Sequence, residues 1–337
     1  MPTDRVVRKV QHIDELCTRV SQTVTFRIVV LTREDPAVDS EPGTDTVNLP
    51  ALIRMRSIYP ELRPSEQRIA QLFLDAPGET AALGVAELAE RGDTSTTTVI
   101  RFCKRMGFAH LKDLRIEVLH DVARESYETA ALPDVSGDIA RDDSLEHVVA
   151  KVSLAETLSI ADTAKALPIA ELARAADAVG EAPRVDIFGV GASAFVGLDL
   201  QQKLTRIGRV ALSWSDPHAA WTSAATLRPG NVAIAISHSG NTIDTVDFLS
   251  IARSAGATTI AITNHAGSQI AEVSDIVLTT AARETGFRSG ALGSRIAQLM
   301  VVDCLFIAVA KSTYDESMAA LRDTYSAVHS RRAQQSS

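Results

Sequence analysis

Six consecutive residues, Ser237-His238-Ser239-Gly240-Asn241-Thr242, gather three hydroxyls, an amide and a glycine with no lysine among them. Hydroxyls donate hydrogen bonds without adding charge, and glycine lets a ligand approach the backbone closely. Such a set suits a small phosphate held by neutral donors. It also describes an ordinary capped turn, and the loop alone does not decide between the two. A second stretch, Gly189-Val190-Gly191-Ala192-Ser193, repeats the plan of glycine followed by hydroxyl.

The flanking residues say how both stretches are held. The apolar run Val232–Ile236 leads into the first loop, and Ile243–Leu249 leaves it with helical spacing. A short, continuously apolar run before a turn reads as a buried parallel strand. Val185–Phe188 leads into the second stretch in the same way, and Phe195–Leu204 leaves it as a helix. Both turns therefore lie between a strand's carboxyl end and a helix's amino end, where free N–H groups and the helix dipole favour an anion. A dinucleotide site is disfavoured: Ala194 stands where a third glycine is needed, and Val210-Ala211-Leu212 runs into Ser213 and Trp214 with no acid. Two hydroxyl-bearing turns on one sheet fit a sugar phosphate better.

The chain has 337 residues, which makes two domains the default expectation. Its net charge is −8, so any nucleic-acid contact must come from a local patch. Cys17, Cys103 and Cys304 lack metal-ligand spacing and read as reduced thiols of a cytoplasmic protein. No signal peptide stands out, and no metal or cofactor is expected. The apolar stretch Leu299–Ala310 is broken by Asp303 and short for a bilayer, so it reads as a buried or interface helix, with no membrane partner.

Pro64-Ser65-Glu66 opens a helix with Ser65 as the expected capping serine, and Pro77-Gly78 is expected to end it. Val85–Arg91 forms a short helix, Gly92-Asp93-Thr94 a turn, and Ser95 caps a helix that Gly107 stops near Met106. Helix, three-residue turn and helix is the helix-turn-helix plan. Helical spacing puts Val99, Phe102, Cys103 and Met106 on the core side. Thr97, Arg101 and Lys104 fall opposite, with Arg105 beside them and no acid in the helix. A basic, hydroxyl-rich face there is a candidate recognition surface, with Ser95, Thr96 and Thr97 at its amino end within reach of base edges or phosphates.

Residues 126–143 mix Pro133, Gly137 and several aspartates and read as a linker. Ser144 starts a long helix expected to bury Leu145, Val148, Val149 and Val152. Strands expected at 185–188, 210–214, 231–236, 258–263 and 275–279 alternate mostly with helices, which implies a parallel sheet covered on both faces.

Gly189-x-Gly191-x-Ser193 followed by Ser237-x-Ser239-Gly240-x-Thr242 resembles the sugar isomerase (SIS) domain. Thr98–Phe102, Gly107-Phe108 and Leu111–Leu114 resemble the helix-turn-helix of the RpiR family of bacterial regulators. Together the two cover roughly residues 48–330. The resemblance implies a two-domain chain: an all-α helix-turn-helix domain over 48–125, a linker at 126–143, and an α/β SIS domain over 144–330, a three-layer αβα sandwich with a parallel sheet. Residues 1–47 would be an extension and 331–337 a tail. It implies a transcription regulator of carbohydrate metabolism rather than an enzyme. Ser95, Thr96, Thr97, Arg101, Lys104 and Arg105 would meet double-stranded operator DNA. Gly191, Ser193, Ser237, Ser239, Gly240, Asn241 and Thr242 would hold the sugar-phosphate effector, with Glu284 at the position of a glutamate that bonds a sugar hydroxyl. Arg288 suits the phosphate or an interface equally. A homodimer or homotetramer is expected, because palindromic operators need two reading heads. The alternatives are an aldose–ketose isomerase or an etherase on the same framework; His238 and His265 would be their candidate bases beside Glu284, though each reads first as structural.

Overall fold

The structure, a computed structural model, describes residues 49–128, 139–283 and 291–334. The expected extension at 1–47, much of the expected linker, Glu284, Arg288 and the end of the tail lie outside the described residues. The described residues belong to one compact unit, Asp45–Ser337.

The N-terminal region is helical: α1 Ala51–Ile58, a single turn at Tyr59–Glu61, α2 Pro64–Asp75, α3 Pro77–Ala82, α4 Val85–Arg91, α5 Thr96–Arg105 and α6 Leu111–Glu128. Pro64 occupies the first position of α2, where a missing N–H costs nothing. The Glu66 carboxylate reaches back to the Arg63 amide at 3.1 Å, so Arg63, not Ser65, is the capping position. Pro77 corrects a second expectation. Pro77-Gly78 does end α2, but Pro77 also opens α3, its fixed φ serving the new helix as Pro64 serves α2.

Ser95 caps α5, its Oγ accepting from the Thr98 amide at 3.2 Å. Gly107, at φ +80°, stops the helix. The Phe108 amide donates to Cys103 O (2.9 Å) and the Gly107 amide to Lys104 O (3.0 Å), the paired bonds of a Schellman stop. Val99, Phe102 and Met106 are fully buried beside Ile69, Phe73, Leu88 and Leu114, with Phe73 stacked on Phe102 at 6.3 Å. Each such side chain contributes about 1.5–3 kcal/mol. The buried Cys103 thiol is pushed up to about 11, chiefly by burial, and stays protonated.

The C-terminal region runs α7 Leu145–Ala166, α8 Ile169–Glu181, β1 Val185–Gly189, α9 Ala192–Arg206, β2 Ala211–Trp214, α10 Pro217–Ala224, β3 Val232–Ile236, α11 Ile243–Ser254, β4 Thr258–Thr263, α12 Gln269–Glu272, β5 Ile276–Thr279, α13 Leu292–Ser312 and α14 Tyr314–Gln334. The five strands pair in parallel in the order β2-β1-β3-β4-β5. Alternation along the strands sorts the two faces. Ile187, Ile234, Ile236, Ile260 and Ile262 meet Val179, Val196, Leu200, Val302 and Leu305 of α8, α9 and α13. Phe188, Ala233, Ala235 and Ala261 meet Ala220, Phe248, Leu249 and Ile270 of α10, α11 and α12. Helices thus cover both faces, and the strand order reverses between β1 and β3, where such sheets open a crevice at their carboxyl ends.

Two expectations change here. Leu145 and Val149 are 79% and 68% exposed, and the burial of α7 falls in its second half, at Leu158, Ser159, Asp162, Thr163 and Ala166. Helical spacing says which residues share a face, not what stands opposite. The helix holding Leu299–Ala310 is 21 residues long and by length and composition alone could cross a bilayer. Its apolarity serves the sheet instead, with Val301, Val302, Leu305 and Val309 in the core.

Candidate functional site

Both motif turns open on one cavity of about 600 Å³ at the β1 and β3 carboxyl ends. Gly191, Ser193, Ser237, Ser239 and Thr242 line it, together with His238, Phe195, Ser294 and Arg295. Gly191 precedes α9 and Thr242 precedes α11, and neither helix has a side-chain cap, so both leave first-turn amides for a ligand. The loop is braced from within. Ser237 Oγ lies 3.2 Å from Thr242 Oγ1 and accepts from the Gly240 amide at 3.2 Å, and Ser239 Oγ accepts from the Asn241 amide at 3.3 Å. Gly240 sits at φ +68°, and a Cβ there would overlap the Ser268 hydroxyl. Only glycine fits both the angle and the contact.

Of the expected phosphosugar residues, Gly191, Ser193, Ser237, Ser239 and Thr242 face the cavity. Gly240 and Asn241 are not in its wall. Gly240 shapes the turn, and Asn241 Oδ1 accepts from the Gln269 amide at 3.2 Å, tying the loop to α12. Glu284 lies outside the described residues. Sequence reasoning missed Arg295, on the first turn of α13, which brings a guanidinium to the cavity; among the described residues its side chain has no ion pair. It also missed Gln298, one turn on, whose buried Oε1 accepts from Ser193 Oγ at 3.2 Å. In a long apolar helix neither residue carries a local signal. Neutral donors, two helix amino ends and one guanidinium are the groups that suit an anion.

His265 is held away from the cavity wall. Its ring stands 5.8 Å from that of His238 and its Nδ1 lies 3.1 Å from Ser57 O. Burial pushes its pKa below the ordinary histidine value, against the raising effects of the Ser57 carbonyl and Glu61. Of the candidate bases among the described residues, His238 lines the cavity and His265 does not.

On α5, Ser95, Thr96, Thr97, Arg101, Lys104 and Arg105 are all exposed along the outer face. Two of them are also tied down. Arg101 Nε pairs with Glu66 Oε1 at 2.7 Å, and Arg105 Nη2 donates to Glu61 O at 2.8 Å. Glu66 is 1% exposed. Burial alone would raise its carboxyl pKa, but the Arg101 bond, the Arg63 amide and the charges of Arg101 and Arg105 together leave it lowered. Arg101 thus presents an outward guanidinium whose inner edge is fixed by a buried carboxylate.

A helix-turn-helix joined to a parallel α/β sandwich defines a class, the two-domain transcription regulators. Residues 49–125 match the RpiR-family helix-turn-helix model, and residues 180–308 match the SIS domain model. An uncharacterised HTH-type transcriptional regulator of Caldanaerobacter subterraneus is 36% identical over 80% of this chain and 94% of its own. The uncharacterised regulator YbbH of Bacillus subtilis is 30% identical over 82% of this chain and 96% of its own. The NanR protein of Vibrio vulnificus, solved in complex with ManNAc-6P, superposes with a TM-score of 0.52 at 26% identity, covering 82% of this chain and 98% of that one. The chain belongs to the RpiR family of HTH-type transcriptional regulators.

Proposed function

We propose that this regulator binds operator DNA through the outer face of α5 and senses a phosphorylated sugar in the cavity between α9 and α11. The observation that carries this reading is the cavity itself: hydroxyls, uncapped helix starts and Arg295 converge on one space with no acid in its described wall. The ManNAc-6P bound by NanR supports the ligand class. The sensing role is read as non-catalytic because His238 stands alone of the two histidines in the cavity wall, while His265 turns to Ser57 O at the end of α1. No cofactor takes part, and the protein works in the cytoplasm with the DNA it reads.

A thermal-shift screen over hexose 6-phosphates, N-acetylhexosamine 6-phosphates and pentose 5-phosphates tests this. One member should raise Tm, since a ligand that binds only the folded chain stabilises it, by about 2.7 kcal/mol at a hundredfold excess over Kd. The same member should be recovered unchanged. Turnover to its aldose or ketose partner would favour the isomerase reading instead.

We further infer a symmetric homodimer, or a pair of dimers, joined through the sensor region. Phe195 and Leu198 on α9 and Ile307 on α13, helices that pack together, are 68%, 48% and 60% exposed. Light scattering at micromolar concentration should give at least twice the chain mass; a monomer would contradict the inference.

A further inference from the structure

We propose that the five residues Asn264–Ser268, between β4 and α12, form the lever that carries effector occupancy to the DNA-reading helices. The inference rests on the sensing role proposed above and names its physical route.

On one side the segment is built into the effector loop. The Asn264 amide donates to His238 O at 3.1 Å, and the Ile270 amide to Gly240 O at 2.9 Å. The Ser268 hydroxyl fills the space a Gly240 side chain would take and donates to His265 O at 2.7 Å. The His238 and His265 rings meet edge to face. A shift of Ser237–Thr242 around a bound phosphate therefore moves Asn264–Ser268 with it, because close-packed groups transmit displacement.

On the other side the segment touches the DNA-reading region. His265 Nδ1 lies 3.1 Å from Ser57 O at the end of α1. Gly267 lies so close to Glu61 that a Cβ on it would overlap the carboxylate. The backbone carbonyl of the same Glu61 accepts from Arg105 of α5. The path from effector loop to recognition helix thus runs through two contacts, Gly267 against Glu61 and Glu61 to Arg105. A parallel brace runs from Asn264 Oδ1, which accepts from the Ala282 amide at 2.7 Å, through Arg283 to Asp162 (2.8 Å), whose carboxylate also takes Arg56 of α1 (2.7 Å). An effector can shift the heads only if it binds the two arrangements unequally, and this segment is where the arrangements would differ.

Gly267→Ala tests the lever. The backbone there needs no left-handed angle, and the methyl group meets only the end of a flexible side chain, so the fold is retained while Glu61 is displaced. Glu61→Ala removes the same contact from the other side. The readouts are operator affinity on a duplex selected in vitro and Tm, each with and without N-acetylmannosamine 6-phosphate or the stronger stabiliser from the panel. In the wild type the effector should change operator affinity by about 5–150-fold. In both variants that change should fall below twofold, while the effector still raises Tm as in the wild type. Variants that respond like a responsive wild type overturn the lever alone. A wild type that neither gains Tm nor changes operator affinity with any panel member overturns the sensing role, and the lever with it.

Discussion

Ser239→Asp is expected to abolish effector binding while leaving operator binding at the effector-free level. Ser239 lines the cavity and its hydroxyl accepts from the Asn241 amide, in the turn that leads into α11. A carboxylate there meets the phosphate with like charge. At about 4 Å and an effective dielectric near 20, one pair of unit charges costs about 4 kcal/mol, close to a thousandfold in Kd. The substitution is mild for the fold, because an acid near a helix amino end is favourable. Calorimetric titration with the stabilising phosphosugar should show no heat of binding, and operator affinity should no longer respond to it. A mutant that binds and responds normally would remove Ser237–Thr242 from the sensor.

Arg101→Ala is expected to act twice. If Arg101 reads a base or clamps a phosphate, operator affinity should fall by about 1–3 kcal/mol at matched salt, roughly 5–150-fold. Stability should fall as well. Spacing along α5 alone would leave the core unaffected, since Val99, Phe102 and Met106 carry the packing. The structure adds Glu66, whose buried carboxylate loses its principal partner, at a cost of about 1–3 kcal/mol. The pair also sets an acid limit. A carboxyl group with a lowered folded pKa stabilises the native state fully above its unfolded value and loses that contribution as pH falls through the folded one. The wild-type head should therefore lose stability on the acid side of the ordinary carboxylate range, and Arg101→Ala should flatten that part of the profile. A variant with early unfolding but undiminished operator affinity per folded molecule would assign Arg101 to the fold alone.

The contrast at Arg101 shows what was legible in the sequence. Periodicity placed its outward face correctly, because helical spacing is local. Its partner lies 35 residues earlier, in another helix, and no local pattern couples the two. The strands were legible to within a residue because each is a continuous apolar run closed by a turn. The two motif turns were legible because hydroxyls and glycines are rare neighbours inside such runs. Arg295 and Gln298 were not, since a cation and an amide in a long apolar helix look like solvent-facing interruptions until the helix is seen to begin at the cavity. Asp162 was hidden for the same reason as Glu66: its partners lie 106 and 121 residues away.

Helix α1 gives this architecture an unusual seam. It buries Leu52 and Met55 in the helical head, yet Ile53 sits with Ala166 and Ala281, and Arg56 and Ser57 bond to the C-terminal region. By order in the chain it is the first element of the head, and by contact it belongs to both halves. Head and C-terminal region are therefore not freely interchangeable parts. A chimaera that grafts the head of one relative onto the C-terminal region of another, cut in the connecting segment after α6, would carry over α1 with a foreign counterpart for each of these contacts. Regulators of this kind built by recombination would need matched residues at 53, 56, 57, 162 and 265 before the two halves could work as one.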